Sequence, residues 1–88
     1  MPQYTLQTTA HVPMNAIVLS DSFRIINRRK KSWQNLKKSI MSIGMQHPID
    51  LFLNNRQLKL IDGYARYDVV KFFGGKFIAA NIMLRIKT

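Results

Sequence analysis

The repeat of apolar side chains changes from a two-residue to a helical spacing at Asp62-Gly63, and this change constrains the fold more than any other feature. Leu58 and Leu60 alternate with polar residues before it. Helical spacing follows at Ala65, Val69, Phe72 and Phe73. A glycine at a strand-to-helix turn lets the backbone approach a ligand closely, and the free N–H groups of a helix start attract an anion. Because Arg66 adds a forked donor in the first turn, the stretch predicts a phosphate site.

A β-hairpin is predicted directly upstream of this turn. Its strands cover residues 49–53 and 56–60, and Asn54-Asn55 forms a two-residue turn between them. Pairing Leu53 with Arg56 places Leu51 opposite Leu58 and Ile49 opposite Leu60 on one face. The same register places His47 beside Asp62 at the open end of the hairpin, next to the glycine turn.

The remaining elements give a mixed α+β order. Residues 16–19 predict a strand, and the strict alternation over residues 78–86 predicts a long final strand that is a candidate sheet edge. Ser32 is the expected N-cap of a helix that Gly44 closes. The apolar stripe of that helix consists of Trp33, Leu36, Ile40 and Ile43. Residues 1–14 are expected to be either poorly ordered or an extra edge strand of one domain that covers residues 1–88.

The charge balance points to a polyanionic partner. Fourteen Lys and Arg residues against four acids give a net charge of +10, and seven of the basic residues lie between positions 24 and 38. Nucleic acid is the leading candidate, because cations release condensed counterions from phosphates, whereas an anionic membrane is disfavoured because the helices are committed to a core. The sequence has no cysteine, no signal peptide and no long apolar run, so a cytoplasmic location is expected.

Two groups of side chains are candidates for contact with nucleic acid. A cationic cluster before a helix opposes the helix dipole, so stability does not explain it, and a phosphate-contacting surface is favoured over a solvated loop. Tyr64 and Tyr67 either stack on exposed bases or shield the flank of the second helix. The predicted nucleic-acid-binding residues are Arg24, Asn27, Arg28, Arg29, Lys30, Lys31, Lys37, Lys38 and Tyr67.

Four short motifs occur in order along the chain, and together they resemble the ParB/sulfiredoxin superfamily, specifically its ParB-like N-terminal, nuclease-like domain. The motifs are Asn27-Arg28-Arg29, the helix that ends at Gly44, Gln46-His47-Pro48-Ile49, and Asp62-Gly63-Tyr64-Ala65-Arg66. The resemblance covers about residues 15 to 86. It implies a compact α+β domain with a small mixed β-sheet and two principal helices.

The resemblance also implies which residues face a bound nucleotide or a nucleic-acid phosphate. These are Gly44, Gln46, Pro48, Gly63, Tyr64 and Arg66, with Asn27, Arg28 and Arg29 at the entry. Partition proteins of the family that hydrolyse CTP carry a Gly-Glu-Arg-Arg box, but Tyr64 and Ala65 stand at the glutamate and first arginine positions here. Sulfiredoxins need a cysteine in this turn, and the sequence has none. Both departures argue against transferring those catalytic activities.

The predicted function is therefore binding of nucleic acid, DNA more than RNA, through phosphates and with weak sequence specificity. One alternative is a small metal-dependent nuclease or nucleotide hydrolase that uses Asp62 and His47, with Mg²⁺ and a nucleoside triphosphate as its cofactor and substrate. Another is an interaction subunit of a DNA-processing or partition complex, as a homodimer or with a protein partner. A purely structural alternative is that Arg66 binds no phosphate and instead forms an ion pair with Asp62 or Asp68. No local cluster of metal ligands is predicted.

Overall fold

Two helices and a five-stranded mixed β-sheet form the computed structural model of the chain, which describes residues 4–20 and 26–85. The elements are β1 Tyr4–Pro13, a short 3₁₀ turn Met14–Ala16, β2 Ile17–Val18, α1 Lys31–Ile43, β3 Ile49–Asn54, β4 Gln57–Asp62, α2 Tyr64–Phe72 and β5 Phe77–Arg85. The predicted α+β class, with a small mixed sheet and two principal helices, is confirmed. None of the helices within these ranges is long and apolar enough to cross a membrane.

The sheet has the strand order β1-β5-β3-β4-β2. The pairs β1–β5 and β3–β4 are antiparallel, whereas β3–β5 and β4–β2 are parallel. Strand β1 lies at one edge of the sheet, next to β5. The long strand β5 was a candidate edge, and that prediction is wrong because β1 pairs along nearly its whole length.

The hairpin β3–β4 forms as predicted, but its turn lies one residue later. Asn55 and Arg56 both have positive φ angles, of 50° and 65°, and Asn54 pairs with Gln57. Leu51, Phe52 and Leu53 therefore each face a partner two positions further along β4 than predicted. Because a shift of two positions preserves the alternation of faces, Leu51 still shares the buried face with Leu60.

The core lies on one face of the sheet, beneath α2. Its fully buried side chains include Ile49, Leu51, Leu60 and Val69. Helix α2 contacts β3 on one side and α1 on the other, so it is covered from two directions. This arrangement buries Val69 of the predicted apolar stripe, but it also buries Tyr67 and Asp68, which lie outside that stripe. Phe72 and Phe73 are half exposed, so their predicted place in the core is wrong.

The N-cap of helix α1 lies two residues earlier than predicted. Its N-cap is Lys30, without a side-chain capping bond, so the N-cap prediction for Ser32 is wrong. The C-terminal prediction is confirmed, because Gly44 ends the helix with a φ of 80°. Trp33 lies in the core as expected, whereas Ile43 is exposed at the last turn.

Candidate phosphate-binding site

The turn into α2 requires glycine for two independent reasons. Gly63 has a φ of 92°, which residues with a side chain rarely adopt. A Cβ atom at this position would lie 2.8 Å from Ile49 Cγ2 and 3.0 Å from Arg66 Nη2. The first helical bond of α2 runs from the Tyr67 N–H to the Gly63 carbonyl oxygen at 2.9 Å. The missing side chain therefore makes room for the guanidinium of Arg66.

Arg66 donates one hydrogen bond to the backbone and has a buried donor without a partner among the described residues. Its Nη2 donates to the carbonyl oxygen of Pro48 at 3.3 Å. Its Nε is buried and has no hydrogen-bond partner among the described residues. A buried donor left without a partner costs on the order of 1–3 kcal/mol, so such groups call for a ligand or another explanation. The alternative ion pair between Arg66 and Asp68 is not formed, because Asp68 is bound by Arg28 instead.

A pocket of about 250 Å³ opens beside this guanidinium, and we call it the Arg66 pocket. It is lined by Leu36, Ser39, Ile40, Gly44, Met45, Gln46, His47 and Arg66. None of these lining residues is acidic, so the charge of Arg66 is not neutralised within the pocket. The Ser39 hydroxyl and the His47 ring supply further polar groups. The arrangement suits a small anion such as a phosphate.

The structure brings together most of the predicted phosphate site. Gly44, Gln46 and Arg66 line the pocket, Pro48 accepts the bond from Arg66, and Gly63 lies against the guanidinium. Gly44 has open space where a Cβ would stand, so its positive φ accounts for glycine at that position. The Nε2 of Gln46 donates to the Ile43 carbonyl oxygen at 3.2 Å, across the end of α1.

Ser39 is a lining residue that the sequence reasoning missed. It lies three residues after Leu36 and directly before Ile40, both of which were assigned to the inner stripe of the helix. Residues three or four apart share a helix face, so this spacing was the available signal. A polar residue at that position marks where the inner face of α1 passes from core to pocket.

A second, larger pocket adjoins the first, and we call it the Lys30 pocket. Its volume is about 590 Å³, and it is lined by Ile26, Asn27, Lys30, Ser32, Trp33, Leu36 and Ala65. Leu36 lines both pockets, and Ala65 precedes Arg66 in α2. The predicted entry residue Asn27 and the cation Lys30 therefore lie next to the Arg66 pocket along the groove between α1 and α2.

Arg28 has a structural role that the sequence did not reveal. Its Nε and Nη2 donate to the two carboxylate oxygens of Asp68 at 2.8 and 3.0 Å, and Trp33 Nε1 donates to the same carboxylate at 3.0 Å. The hydrogen bonds from Arg28 hold the pKa of Asp68 below its ordinary value despite its burial. Two of the donors of Arg28 are thus committed to joining α2 to the segment before α1.

The other predicted cations differ in how far they are available. Arg29, Lys30, Lys31 and Lys38 are exposed. Lys37 lies with its Nζ 5.8 Å from the ring centroid of Trp33 and 5.5 Å from that of Phe72. Arg24 lies outside the described residues. The exposed cations therefore occupy the start and the outer face of α1.

The two tyrosines do not offer the stacking surface that was considered for them. Tyr67 is buried in the core, and burial raises the pKa of its hydroxyl. Its ring belongs to the core cluster between α2 and the sheet and offers little surface to a base, so its contact with nucleic acid stays a prediction. Tyr64 is half-buried, and its hydroxyl donates to the Leu60 carbonyl oxygen at 3.2 Å. The shielding role fits both residues better than base stacking.

The observed hairpin register separates the proposed catalytic pair. Asp62 lies opposite Asp50, so the predicted pairing of His47 with Asp62 is wrong. Asp50 accepts a hydrogen bond from Asn81 Nδ2 at 3.0 Å, and His47 lines the Arg66 pocket. Within residues 4–20 and 26–85, no group of three or more acidic or histidine side chains is placed to hold a metal ion. Catalysis by His47 and Asp62 stays a prediction.

Comparison with solved structures shows that the chain has the ParB/sulfiredoxin-like fold. Sulfiredoxin from Arabidopsis thaliana superposes with a TM-score of 0.71 at 22% identity, covering 86% of this chain and 84% of that one. A pNOB8-like ParB N-domain gives a TM-score of 0.71 at 25% identity, covering 96% of this chain and 30% of that one.

The chromosome-partitioning protein ParB from Caulobacter crescentus is also similar. Its C-terminally truncated form complexed with CTP-γ-S gives a TM-score of 0.68 at 15% identity, covering 86% of this chain and 44% of that one. The form complexed to the centromeric parS site gives 0.62 at 19% identity, covering 86% and 40%. The chain thus spans less than half of the ParB chains that it matches. No family model and no curated protein sequence matches it.

Proposed function

We propose that this chain binds nucleic acid by capturing backbone phosphates, DNA in preference to RNA, with weak sequence preference. The observation that carries the proposal is the buried Nε of Arg66, which lacks a hydrogen-bond partner among the described residues, in a side chain that lines a pocket without acidic residues. A phosphate oxygen at this Nε satisfies the donor and places a negative charge beside the guanidinium. Hydrogen bonds of this charge-assisted kind are roughly twice as strong as neutral ones.

The exposed cations extend the site beyond one phosphate. Arg29, Lys30 and Lys31 lie at the start of α1, and Lys38 lies on its outer face. These cations do not stabilise the helix, because positive charge near a helix N-terminus opposes the dipole, and the first turn of α1 contains no acid. Contact with a polyanion offsets both this cost and the self-repulsion of a chain with a charge of +10. Lys30 lines the Lys30 pocket, which shares Leu36 with the Arg66 pocket.

The similar structures support DNA as the nucleic acid. Caulobacter crescentus ParB, which contains a region of the same fold, is complexed to the centromeric parS site. The phosphate contacts proposed here carry no base information, because backbone contacts fix position and base-edge contacts specify sequence. Recognition of one particular DNA site therefore requires residues other than those of the Arg66 pocket.

A salt-titrated binding panel tests the proposal. With Arg66 and the four exposed cations each neutralising one phosphate, the slope of log K against log salt on duplex DNA is about −4.5, at about −0.9 per contact. Affinity then falls on the order of 10²–10³-fold between about 50 and 200 mM salt. Arg66→Ala should lower the magnitude of the slope by about 1 and weaken binding, whereas Arg56→Ala, which removes the same charge from the hairpin turn, should change little.

Two results would overturn the proposal. One is wild-type protein that binds neither single-stranded nor duplex oligonucleotides at low salt, or that binds them with no dependence on salt. The other is an equal loss of affinity in Arg66→Ala and Arg56→Ala, because that equality would assign binding to net charge and not to the pocket.

A nucleotide is a second candidate ligand, favoured by the two adjoining pockets. Ligand pockets of about 300–1,000 Å³ accommodate small molecules, and the Lys30 pocket adds about 590 Å³ to the phosphate-sized Arg66 pocket. The similar Caulobacter crescentus ParB is complexed with CTP-γ-S. A nucleoside triphosphate that binds wild-type protein, loses affinity in Arg66→Ala and competes with oligonucleotide would support this candidate. Titration without saturable binding would exclude it.

A further inference from the structure

Two adjacent phenylalanines at the end of α2 are half exposed, although helical spacing assigned them to the core. Phe72 is 47% exposed and Phe73 is 45% exposed, while the buried side of the helix is filled by Tyr67 and Val69. Single exposed apolar residues are common, but a contiguous aromatic pair ringed by cations is characteristic of ligand contact. We propose that this pair is a stacking surface for unpaired bases, so the nucleic acid bound by this chain is preferentially single-stranded. The inference rests on the proposed nucleic-acid-binding function.

The aromatic pair is anchored from beneath. Trp33 is buried, and its ring meets that of Phe72 edge-on, with centroids 5.4 Å apart and an angle of 88°. Phe72 in turn meets Phe73 at 5.4 Å and 73°. Aromatic pairs favour such edge-to-face geometry, which fixes the ring orientations before a ligand arrives. The indole of Trp33 is itself held by its bond to Asp68. These contacts therefore hold the ring of Phe73 in a fixed orientation before a nucleic acid binds.

Cations surround the inner ring of the pair. The guanidinium carbon of Arg28 lies 5.3 Å from the Phe72 centroid, and Lys37 Nζ lies 5.5 Å from it. Both distances are within the range of a cation–π contact. Because the cations flank Phe72, we assign the stacked base to Phe73 and the neighbouring phosphates to Lys37 and the exposed Lys71. Basic groups combined with aromatic rings are the recurring chemistry of single-strand binding.

The charge of the surface selects nucleic acid over an apolar protein segment. The carboxylate of Asp68 is already bound by Arg28 and Trp33, the two residues whose side chains lie against Phe72. Lys37 and Lys71 then give the rim of the aromatic pair a positive charge. An apolar partner would desolvate these ammonium groups without pairing them, which is unfavourable. A single-stranded nucleic acid supplies bases that stack on the rings and phosphates that pair with the cations.

Phe73→Leu on the full chain tests the inference, with Phe77→Leu as its matched control. Phe77 lies on β5 and is 60% exposed, so the control removes an equally accessible ring from another surface. The probes are oligothymidine of about 15 nucleotides and a duplex of the same length, since single-strand sites span about 4–16 nucleotides. Phe73→Leu should weaken single-strand binding about 5- to 150-fold, the equivalent of about 1–3 kcal/mol per stacked base, and leave duplex binding within about twofold. Phe73→Tyr should retain the single-strand affinity, and Phe77→Leu should change neither.

A second measurement on the wild-type protein keeps the inference testable if Phe73→Leu fails to fold. An abasic deoxyribose-phosphate oligomer of the same length presents the same phosphates without bases, and it should bind at least about fivefold more weakly than oligothymidine. Equal affinities for the two would overturn the inference, as would equal losses on single strand and duplex in Phe73→Leu.

These failures are distinguishable from failure of the proposed function. If wild-type protein binds duplex through Arg66 but shows no difference between oligothymidine and the abasic oligomer, the phosphate site stands and the stacking surface is refuted. If wild-type protein binds neither oligonucleotide, both proposals are refuted.

Discussion

Replacing Gly63 by alanine tests the geometry on which the Arg66 pocket depends. The φ of 92° lies outside the ordinary conformations of a residue with a side chain, which costs on the order of 1–2 kcal/mol for a left-handed position. The added Cβ would also stand 2.8 Å from Ile49 Cγ2 and 3.1 Å from Ile49 Cα. Ile49 is fully buried, and its Cα belongs to strand β3, so it cannot move aside easily. Overpacking of this kind costs about 1–3 kcal/mol more.

The two terms sum to a destabilisation of about 2–5 kcal/mol for Gly63→Ala. A chain of this length is typically stable by about 4–13 kcal/mol, so the loss is a large fraction of the total. The melting temperature should fall by about 10 °C or more, at about 4–8 °C per kcal/mol for a small domain. Thermal unfolding followed by circular dichroism, with urea unfolding as a check on the slope, measures both quantities.

Gly74→Ala is the matched control for this prediction. Gly74 also has a positive φ, of 71°, but a Cβ there would meet nothing within 4 Å. Gly74→Ala should therefore lower the free energy of unfolding only by the conformational cost of about 1–2 kcal/mol. The variant at Gly63 should also lose duplex affinity below its melting temperature, because its Cβ would stand 3.0 Å from Arg66 Nη2. Equal destabilisation of the two variants would refute the close approach at the α2 turn.

Three further predictions follow from other parts of the fold. Leu51→Ala should cost about 2–5 kcal/mol, and Leu53→Ala clearly less, because the first side chain is fully buried and the second is 37% exposed; urea unfolding compares them. The hydrogen bonds from Arg28 lower the pKa of Asp68, so the ionised carboxylate stabilises the folded protein. This contribution is fully present at pH values above the ordinary Asp pKa of 3.8 and is lost as the pH falls through the lowered pKa. Asp68→Asn should remove this part of the acid unfolding curve and destabilise the protein at neutral pH. Arg56→Gly should raise stability by up to about 1 kcal/mol, because the residue has a φ of 65° in a two-residue hairpin turn, and calorimetry would detect the shift.

The hairpin shows what sequence periodicity can and cannot determine. Alternation placed Leu51 and Leu60 on one face correctly, and that result survives the shifted register. Any shift by two positions leaves the same faces buried, so the pattern alone cannot choose between such registers. The position of the turn selects the register, and the turn residues with positive φ are Asn55 and Arg56. The incorrect pairing of His47 with Asp62 came from extending the wrong register.

The buried face of α2 was predicted incorrectly because the sequence does not show which elements pack against this helix. A helix covered by a sheet on one side and by α1 on another has no single apolar stripe, so Tyr67 and Asp68 are buried on a face that reads as polar. The carboxylate of Asp68 is satisfied by Arg28 and Trp33, which are 40 and 35 residues away in sequence. Such a long-range polar contact leaves no local pattern. Phe72 and Phe73 are displaced to the surface as a consequence.

The proximity of Gly63 and Arg66, on which the proposed phosphate site depends, was predictable because its requirements are local. A glycine turn and an arginine in the first turn of a helix are adjacent in sequence, and the structure keeps them in contact at Gly63 and Arg66. The sequence could not show that the guanidinium reaches Pro48 and leaves Nε buried, because that depends on how α1 and β3 meet.

Titration of isotopically labelled protein with a short oligonucleotide, observed by NMR at the Arg66 Nε–H, tests the central claim most directly. This donor is buried, and it has no partner among residues 4–20 and 26–85, so a phosphate that enters the pocket must change its environment. The account predicts that the Nε–H resonance shifts together with the backbone amides of Gly44 and His47, and that the shifts saturate with the measured affinity. Saturable shifts confined to the exposed lysines of α1, with the Arg66 Nε–H unmoved, would contradict it.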